Sequence, residues 1–197
     1  MDILNSIAID LYEFIDFFCL KYKYDHRGIL KKFRLKSGLN KQLNDETWYC
    51  LFLQKSAFNY CAKFLLIKLM EDNDKIACKL NNDGLKKWNS LVSNISGQYG
   101  RLYELAELDL LEAEDVKSAF KQSDYDIYQI DDELAAFFIE RLRKYEFKSY
   151  THEMIYQIFN RLYTDEKRVG LNLQYFYKPA NAIDYMLSLN KQKENLV

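Results

Sequence analysis

The stretch from Trp48 to Met70 constrains this chain most. It contains neither glycine nor proline, and apolar residues recur along it at three- and four-residue steps: Trp48, Leu51, Phe52, Phe58, Ala62, Leu65, Leu66 and Leu69. Cys61, Phe64 and Ile67 widen that face until the helix is apolar nearly all round. A surface helix needs only one apolar stripe, so one that is apolar on most sides is packed on several. The pattern predicts a central helix from about Glu46 to Asp72, started by Asn44 or Asp45 as a cap. Glu71-Asp72-Asn73-Asp74 stops it, and this carboxylate cluster reads as a solvated helix end without a basic complement.

The rest of the chain arranges itself around that helix. Leu4, Ile7, Ala8, Leu11, Ile15 and Phe18 form one stripe of a first helix over Asp2 to Tyr24, closed by His26-Arg27-Gly28. A short basic segment runs to Gly38. Gly84 to Ser96 is a shorter amphipathic stretch with Trp88, and Tyr103 to Asp132 contains one or two short helices and a brief extended piece, Asp126 to Ile130. Asp132 to Arg143 forms a helix with Leu134, Phe137, Phe138, Ile139 and Leu142 inward. Thr151 caps another that turns Met154, Ile155, Ile158, Phe159 and Leu162 inward, and a last helix starts at Pro179. Only 6 Gly and 1 Pro occur in 197 residues, which argues against many-stranded β folds. The expected fold is all-α, an irregular bundle of six to eight helices over 1–170, with 171–197 opening something further.

Charge is uneven. From Lys21 to Lys41 eight Lys/Arg stand against Asp25 alone, a local balance of +7; from Glu104 to Glu133 eleven acids stand against Lys117 and Lys121, a balance of −9. Such asymmetry marks either a nucleic-acid-facing end opposite a repelled end or simply two solvated faces. Tyr22 and Tyr24 interleave with Lys21, Lys23 and Arg27, a pattern that suits phosphate contact with base stacking. It equally suits rings that finish a helix stripe while lysines snorkel past. Lys31, Lys32, Arg34 and Lys36 continue the candidate DNA-binding set.

Other chemistry is sparse. His26 and His152 are the only histidines, and no P-loop, GxGxxG or GxSxG sequence occurs. Cys19, Cys50, Cys61 and Cys78 lack CxxC spacing and read as buried reduced thiols. The apolar stretch from Phe58 to Met70 carries Lys63 and Lys68 and falls short of the roughly 20 residues a membrane span needs. No secretion signal stands at the start, so a cytoplasmic protein is expected.

Two stretches taken together resemble a family. Asn59 to Asp72 is similar to the central helix in the N-terminal helical region of adenine-specific DNA methyltransferases of restriction–modification systems, which also ends in Glu-Asp. Further on come Leu142 to Phe147, the helix from Met154 to Leu162, Asp165-Glu166-Lys167-Arg168, and Gln174-Tyr175-Phe176-Tyr177-Lys178-Pro179 leading into Ala180 to Leu189. Their order resembles that family's helix, basic turn, Gly-x-Phe-Tyr-Thr-Pro and helix. Here Lys178 replaces the Thr, and Gly170 lies several residues before the place of the family's Gly.

The resemblance implies that Phe176, Tyr177, Lys178 and Pro179 open the S-adenosylmethionine site of a longer protein or a split subunit. The family's cofactor-binding glycine loop and its Asn/Asp-Pro-Pro-Tyr/Phe sequence, which holds a flipped adenine, do not occur in these residues. The chain alone is therefore expected to be inactive and to bind no cofactor by itself. Expected partners are double-stranded DNA, a catalytic methyltransferase domain or subunit packed on Ile183, Met186 and Leu187, and in some members a specificity subunit; an uncovered apolar face there would allow dimerisation. The competing reading is a stand-alone helical interaction protein, such as an anti-restriction or regulatory partner.

Overall fold

The computed structural model describes residues 2–24, 28–38, 41–114 and 116–164. Among them are eight helices and no strand: α1 (Ile3–Tyr22), α2 (Ile29–Ser37), α3 (Asp45–Asp72), α4 (Asn82–Leu91), α5 (Tyr99–Glu112), α6 (Lys117–Phe120), α7 (Asp132–Leu142) and α8 (His152–Thr164). The irregular all-α bundle expected from the sequence is what forms. Phe176, Tyr177, Lys178, Pro179 and the helix after them lie outside the described residues, as does Arg27.

Helices α1, α3, α4, α7 and α8 start where a side chain accepts an end amide, whereas α2 and α5 start without such a cap. Asp2 takes the Leu4 amide at 3.1 Å, Asn44 the Thr47 amide at 2.9 Å, Asn81 the Gly84 amide at 3.0 Å, Asp131 the Leu134 amide at 3.1 Å and Thr151 the Met154 amide at 3.3 Å. Of the two candidates before α3, Asn44 is the cap. Such caps hold helix ends by about 0.5–2 kcal/mol each.

Helix α3 is central, as its sequence requires. Phe14 of α1, Phe64 of α3 and Phe138 of α7 meet in one aromatic knot: Phe64 and Phe138 stack at 4.0 Å and Phe14 meets Phe138 edge-on at 4.7 Å. On another side Phe58 packs against Phe159 of α8 at 5.3 Å between ring centroids. Helix α8 also lies along α1, where the Tyr12 hydroxyl donates to the Arg161 carbonyl at 2.7 Å and Arg161 pairs with Asp2 at 2.7 Å. Phe14, Phe58, Phe64 and Phe138 are all fully or almost fully buried.

The buried helix carries three lysines, Lys55, Lys63 and Lys68. A buried ammonium needs partners. Lys63, 3% exposed, reaches Glu107 of α5 and Asp126, each at 3.0 Å, and Asp126 also accepts from Asn59 at 2.8 Å. Lys68 pairs with Asp72 one turn on. Lys55 lies over the rings of Phe58 and Tyr125. Three members of the acidic zone therefore turn inward, Glu107 and Asp126 to Lys63 and Asp109 to Lys79, while Glu104, Glu112, Glu114, Asp124, Asp131 and Glu133 stay exposed.

Four expectations need correction. The short basic segment before Gly38, to which the sequence pattern assigns no helix, is helical: Leu30 and Phe33 turn inward, Phe33 packing 5.0 Å from Phe52, and Gly28 and Gly38 both sit at φ 64°, the left-handed conformation that bounds it. Asp126 to Ile130, expected as a brief extended piece, is an irregular segment; the Tyr60 hydroxyl donates to the Tyr128 carbonyl, and Tyr125, Tyr128 and Ile130 bury their side chains. Cys50 is exposed, whereas Cys61 is buried and Cys19 and Cys78 half-buried; all four are free thiols.

The fourth correction concerns Glu71 and Asp72, which are not a solvated helix end. Glu71 is 1% exposed and gathers the amides of Lys79 at 2.9 Å, Leu80 at 2.9 and 3.0 Å, and Asn81 at 2.8 Å. Burial pushes its carboxyl up from the usual value, while these amides and Lys68 pull it back. Asp72 holds Lys68 and also accepts the Phe147 amide at 2.8 Å. Together the two carboxylates fold residues 75–81 back onto α3. Gly84 follows from the same turn, because a Cβ there would come within 2.4 Å of the Lys79 backbone.

Candidate nucleic-acid interface

The basic segment spans the end of α1 and all of α2. On α2, Leu30, Phe33, Arg34 and Ser37 lie on the inner side at helical spacing, and Lys31, Lys32, Leu35 and Lys36 form the outer side, all exposed. Two of the candidate cations have other work. Lys21 pairs with Asp131 at 2.7 Å and with Glu133, tying the end of α1 to the start of α7. Burial alone would lower the Lys21 pKa, but the hydrogen bonds to Asp131 and Glu133 outweigh it and the net direction is upward. Arg34 lies 5.5 Å from the Trp48 ring and 5.9 Å from the Tyr49 ring, pairs with Asp45 and donates to the Leu43 carbonyl. That arrangement clips α2 to the start of α3, and cation–π contact adds about 0.5–2 kcal/mol. Lys23, Lys31, Lys32 and Lys36 remain exposed to solvent.

Between the end of α1 and the first residue of α2 lies a cleft of about 800 Å³, bordered by Lys21, Tyr22, Tyr24, Ile29, Gln122 and residues 126–129 and 131. Its floor is aromatic. The Tyr22 ring stacks on Tyr128 at 4.0 Å with 20° between planes, and its hydroxyl donates to the Gln129 carbonyl at 3.3 Å. Burial, then the nearby Asp131, raise the Tyr22 pKa, so it stays a neutral phenol at physiological pH. Tyr24 is 68% exposed, with the Lys23 ammonium 5.5 Å from its ring centre. The two tyrosines singled out by their interleaving with lysine therefore take different roles: Tyr22 is wedged into the fold and Tyr24 is presented outward.

A second cavity of about 290 Å³ surrounds Lys63, with Tyr60, Glu104, Glu107, Phe120 and Asp126 among its walls. Its lysine and carboxylates satisfy one another, the arrangement expected of a packing network. The sequence signal for it was the presence of lysine on a helix apolar all round, which demands acidic partners without revealing where in the chain they lie. Among the described residues no group of three or more His, Cys, Asp and Glu side chains could hold a metal ion, and no helix is long and apolar enough to cross a membrane. No family model matches this chain, and no curated protein or solved structure does either.

Proposed function

We propose that this chain is a non-catalytic helical domain that lays Lys23, Lys31, Lys32 and Lys36 against the phosphates of double-stranded DNA, as part of an S-adenosylmethionine-dependent, adenine-specific DNA methyltransferase of a restriction–modification system. The observation that carries the DNA half is the outer face of α2, where Lys31, Lys32 and Lys36 are exposed while Arg34 holds the inner face in place. A rigidly anchored row of ammonium groups meets the regularly spaced charge of a duplex and gains affinity by releasing counterions. The methyltransferase half rests on the resemblance of Asn59 to Asp72 and Leu142 to Leu189 to that family. On this reading a catalytic domain or subunit supplies the base chemistry, and Phe176, Tyr177, Lys178 and Pro179 border the cofactor.

Changing Lys31, Lys32 and Lys36 together to Glu tests the first half. At about 0.1 M salt each phosphate contact is worth roughly 10-fold in affinity, so the triple variant should lose duplex binding by on the order of a thousandfold, about 10-fold for each lysine, with its helical circular dichroism unchanged. Equal affinity for wild type and variant removes the DNA claim. Arg34 and Lys21 are poor test sites because replacing either also removes an internal pairing. For the second half, deletion of the gene from its host should abolish N6-methyladenine at one sequence motif in genomic DNA; an unaltered methylation pattern refutes it.

One observation favours a second reading. Leu35 is 78% exposed amid those lysines, and Leu20 and Leu91 are exposed as well. A face mixing leucine and lysine also suits an acidic, amphipathic protein surface, as a stand-alone interaction or anti-restriction/regulatory protein would use. That reading predicts no salt-dependent duplex affinity at all.

A further inference from the structure

The cleft between the end of α1 and the first residue of α2 is built differently from a phosphate site. Asp126 and Asp131 lie at its border, but Asp126 is matched by Lys63 and Asn59, and Asp131 by Lys21 and the Leu134 amide. Phosphate gains nothing from such a floor, whereas a flat neutral group meets aromatic and aliphatic walls: Tyr22, Tyr24, Ile29 and Tyr128. Gln122 and Gln129, both exposed at the border, offer amide donors and acceptors to a polar ring edge. A cation stands at the rim, since the Lys23 ammonium lies 5.5 Å from the Tyr24 ring centre, and the exposed Lys31 and Lys32 belong to the first turn of α2, which Ile29 begins. A volume of about 800 Å³ accommodates a base with its sugar and neighbouring phosphates.

We infer that this cleft receives an unpaired nucleobase, stacked on the exposed ring of Tyr24, while the strand's phosphates run along Lys23, Lys31 and Lys32. The inference rests on the nucleic-acid reading above and narrows its substrate class. Bases within an intact duplex are stacked on one another and present no face, so the cleft takes its base from a single-stranded or locally unpaired stretch, while paired DNA meets the lysine face alone. Because every base has a π-face, the preference for sequence is slight.

The test uses the full chain, a fluorescent 12-nucleotide single strand and the same strand annealed to its complement, with anisotropy read at one salt concentration. Tyr24→Ala is expected to weaken single-strand binding by about 5- to 150-fold, the range that loss of one base–aromatic stack produces, and to change duplex binding by less than about 2-fold, because Tyr24 meets no phosphate on this account. Tyr24→Phe, which keeps the ring, is expected to bind like wild type. Since Tyr24 is exposed, none of these variants disturbs packing. If Tyr24→Ala weakens both ligands equally or neither, or Tyr24→Phe loses as much as Tyr24→Ala, the stacking cleft is overturned while the lysine face stands. If the wild-type chain binds neither ligand, the lysine face is overturned and the cleft with it.

Discussion

Replacing Glu71 with Ala removes the one side chain that collects the amides of Lys79, Leu80 and Asn81. All three amides belong to a segment pressed against α3, and Leu80 and Asn81 are buried, so water replaces the lost acceptor poorly. Each buried donor left without a partner costs about 1–3 kcal/mol, which puts the gross loss at roughly 3–9 kcal/mol. Part of that returns, because the variant no longer buries a charge, the same burial that raises the carboxyl's pKa. A net loss of about 2–5 kcal/mol is expected, a large share of a typical domain's 5–15 kcal/mol. Thermal unfolding followed by circular dichroism should show Tm falling by roughly 5–20 °C, at about 2–4 °C per kcal/mol for a chain of this length. Glu71→Gln keeps one acceptor oxygen and should fall between wild type and Glu71→Ala. A Tm change below about 2 °C for Glu71→Ala would mean that water serves those amides as well as the carboxylate does, and the account of the 75–81 turn would fail.

Three further outcomes follow from the same structure. Gly84→Ala forces a Cβ to within 2.4 Å of the Lys79 backbone and should destabilise the fold by about 1–3 kcal/mol, read from urea midpoints at unchanged m. Lys63→Met leaves Asp126 and Glu107 facing each other without a cation; breaking a buried pair costs about 3–5 kcal/mol, and the partial exposure of Glu107 favours the low end, so a Tm within about 2 °C of wild type would contradict the pairing. Burial, then the hydrogen bond to Glu140, push the Tyr99 phenol up from 10.0 to about 12. With the folded value above the unfolded one, its contribution is fully present below pH 10 and is lost as pH rises toward 12; phenolate absorbance should show a component near 12 that Tyr99→Phe removes.

The sequence made α3 legible because residues apolar on every side leave a helix nowhere to go but the centre. The stripes of α1, α7 and α8 and the Thr151 cap were legible for a related reason: their periodicity and end chemistry are local. Helix α2 was not, since only Ile29, Leu30 and Phe33 of its nine residues supply an apolar anchor, too short a stripe to stand out, and Phe33 finds its partner Phe52 outside the helix. Glu71 was misread because its acceptors' partners are amides eight to ten residues ahead, brought back by a turn that Gly84 permits. The candidate interface was half legible. Exposed lysines can be counted in sequence, but Lys21 is claimed by Asp131 and Glu133, more than a hundred residues on, and Arg34 by Asp45 and Trp48. No local pattern announces such pairings. What sequence did supply was the Lys-Tyr interleaving at 21–24, and the structure divides it between a wedged Tyr22 and an outward Tyr24.

The measurement closest to the central claim is the salt dependence of duplex DNA binding by the intact chain. With Lys23, Lys31, Lys32 and Lys36 as the phosphate-facing groups, log K plotted against log salt should fall with a slope of about −3 to −4, and each Lys→Glu change should flatten it by about 1. A slope near zero, or one that the four substitutions leave untouched, contradicts the account.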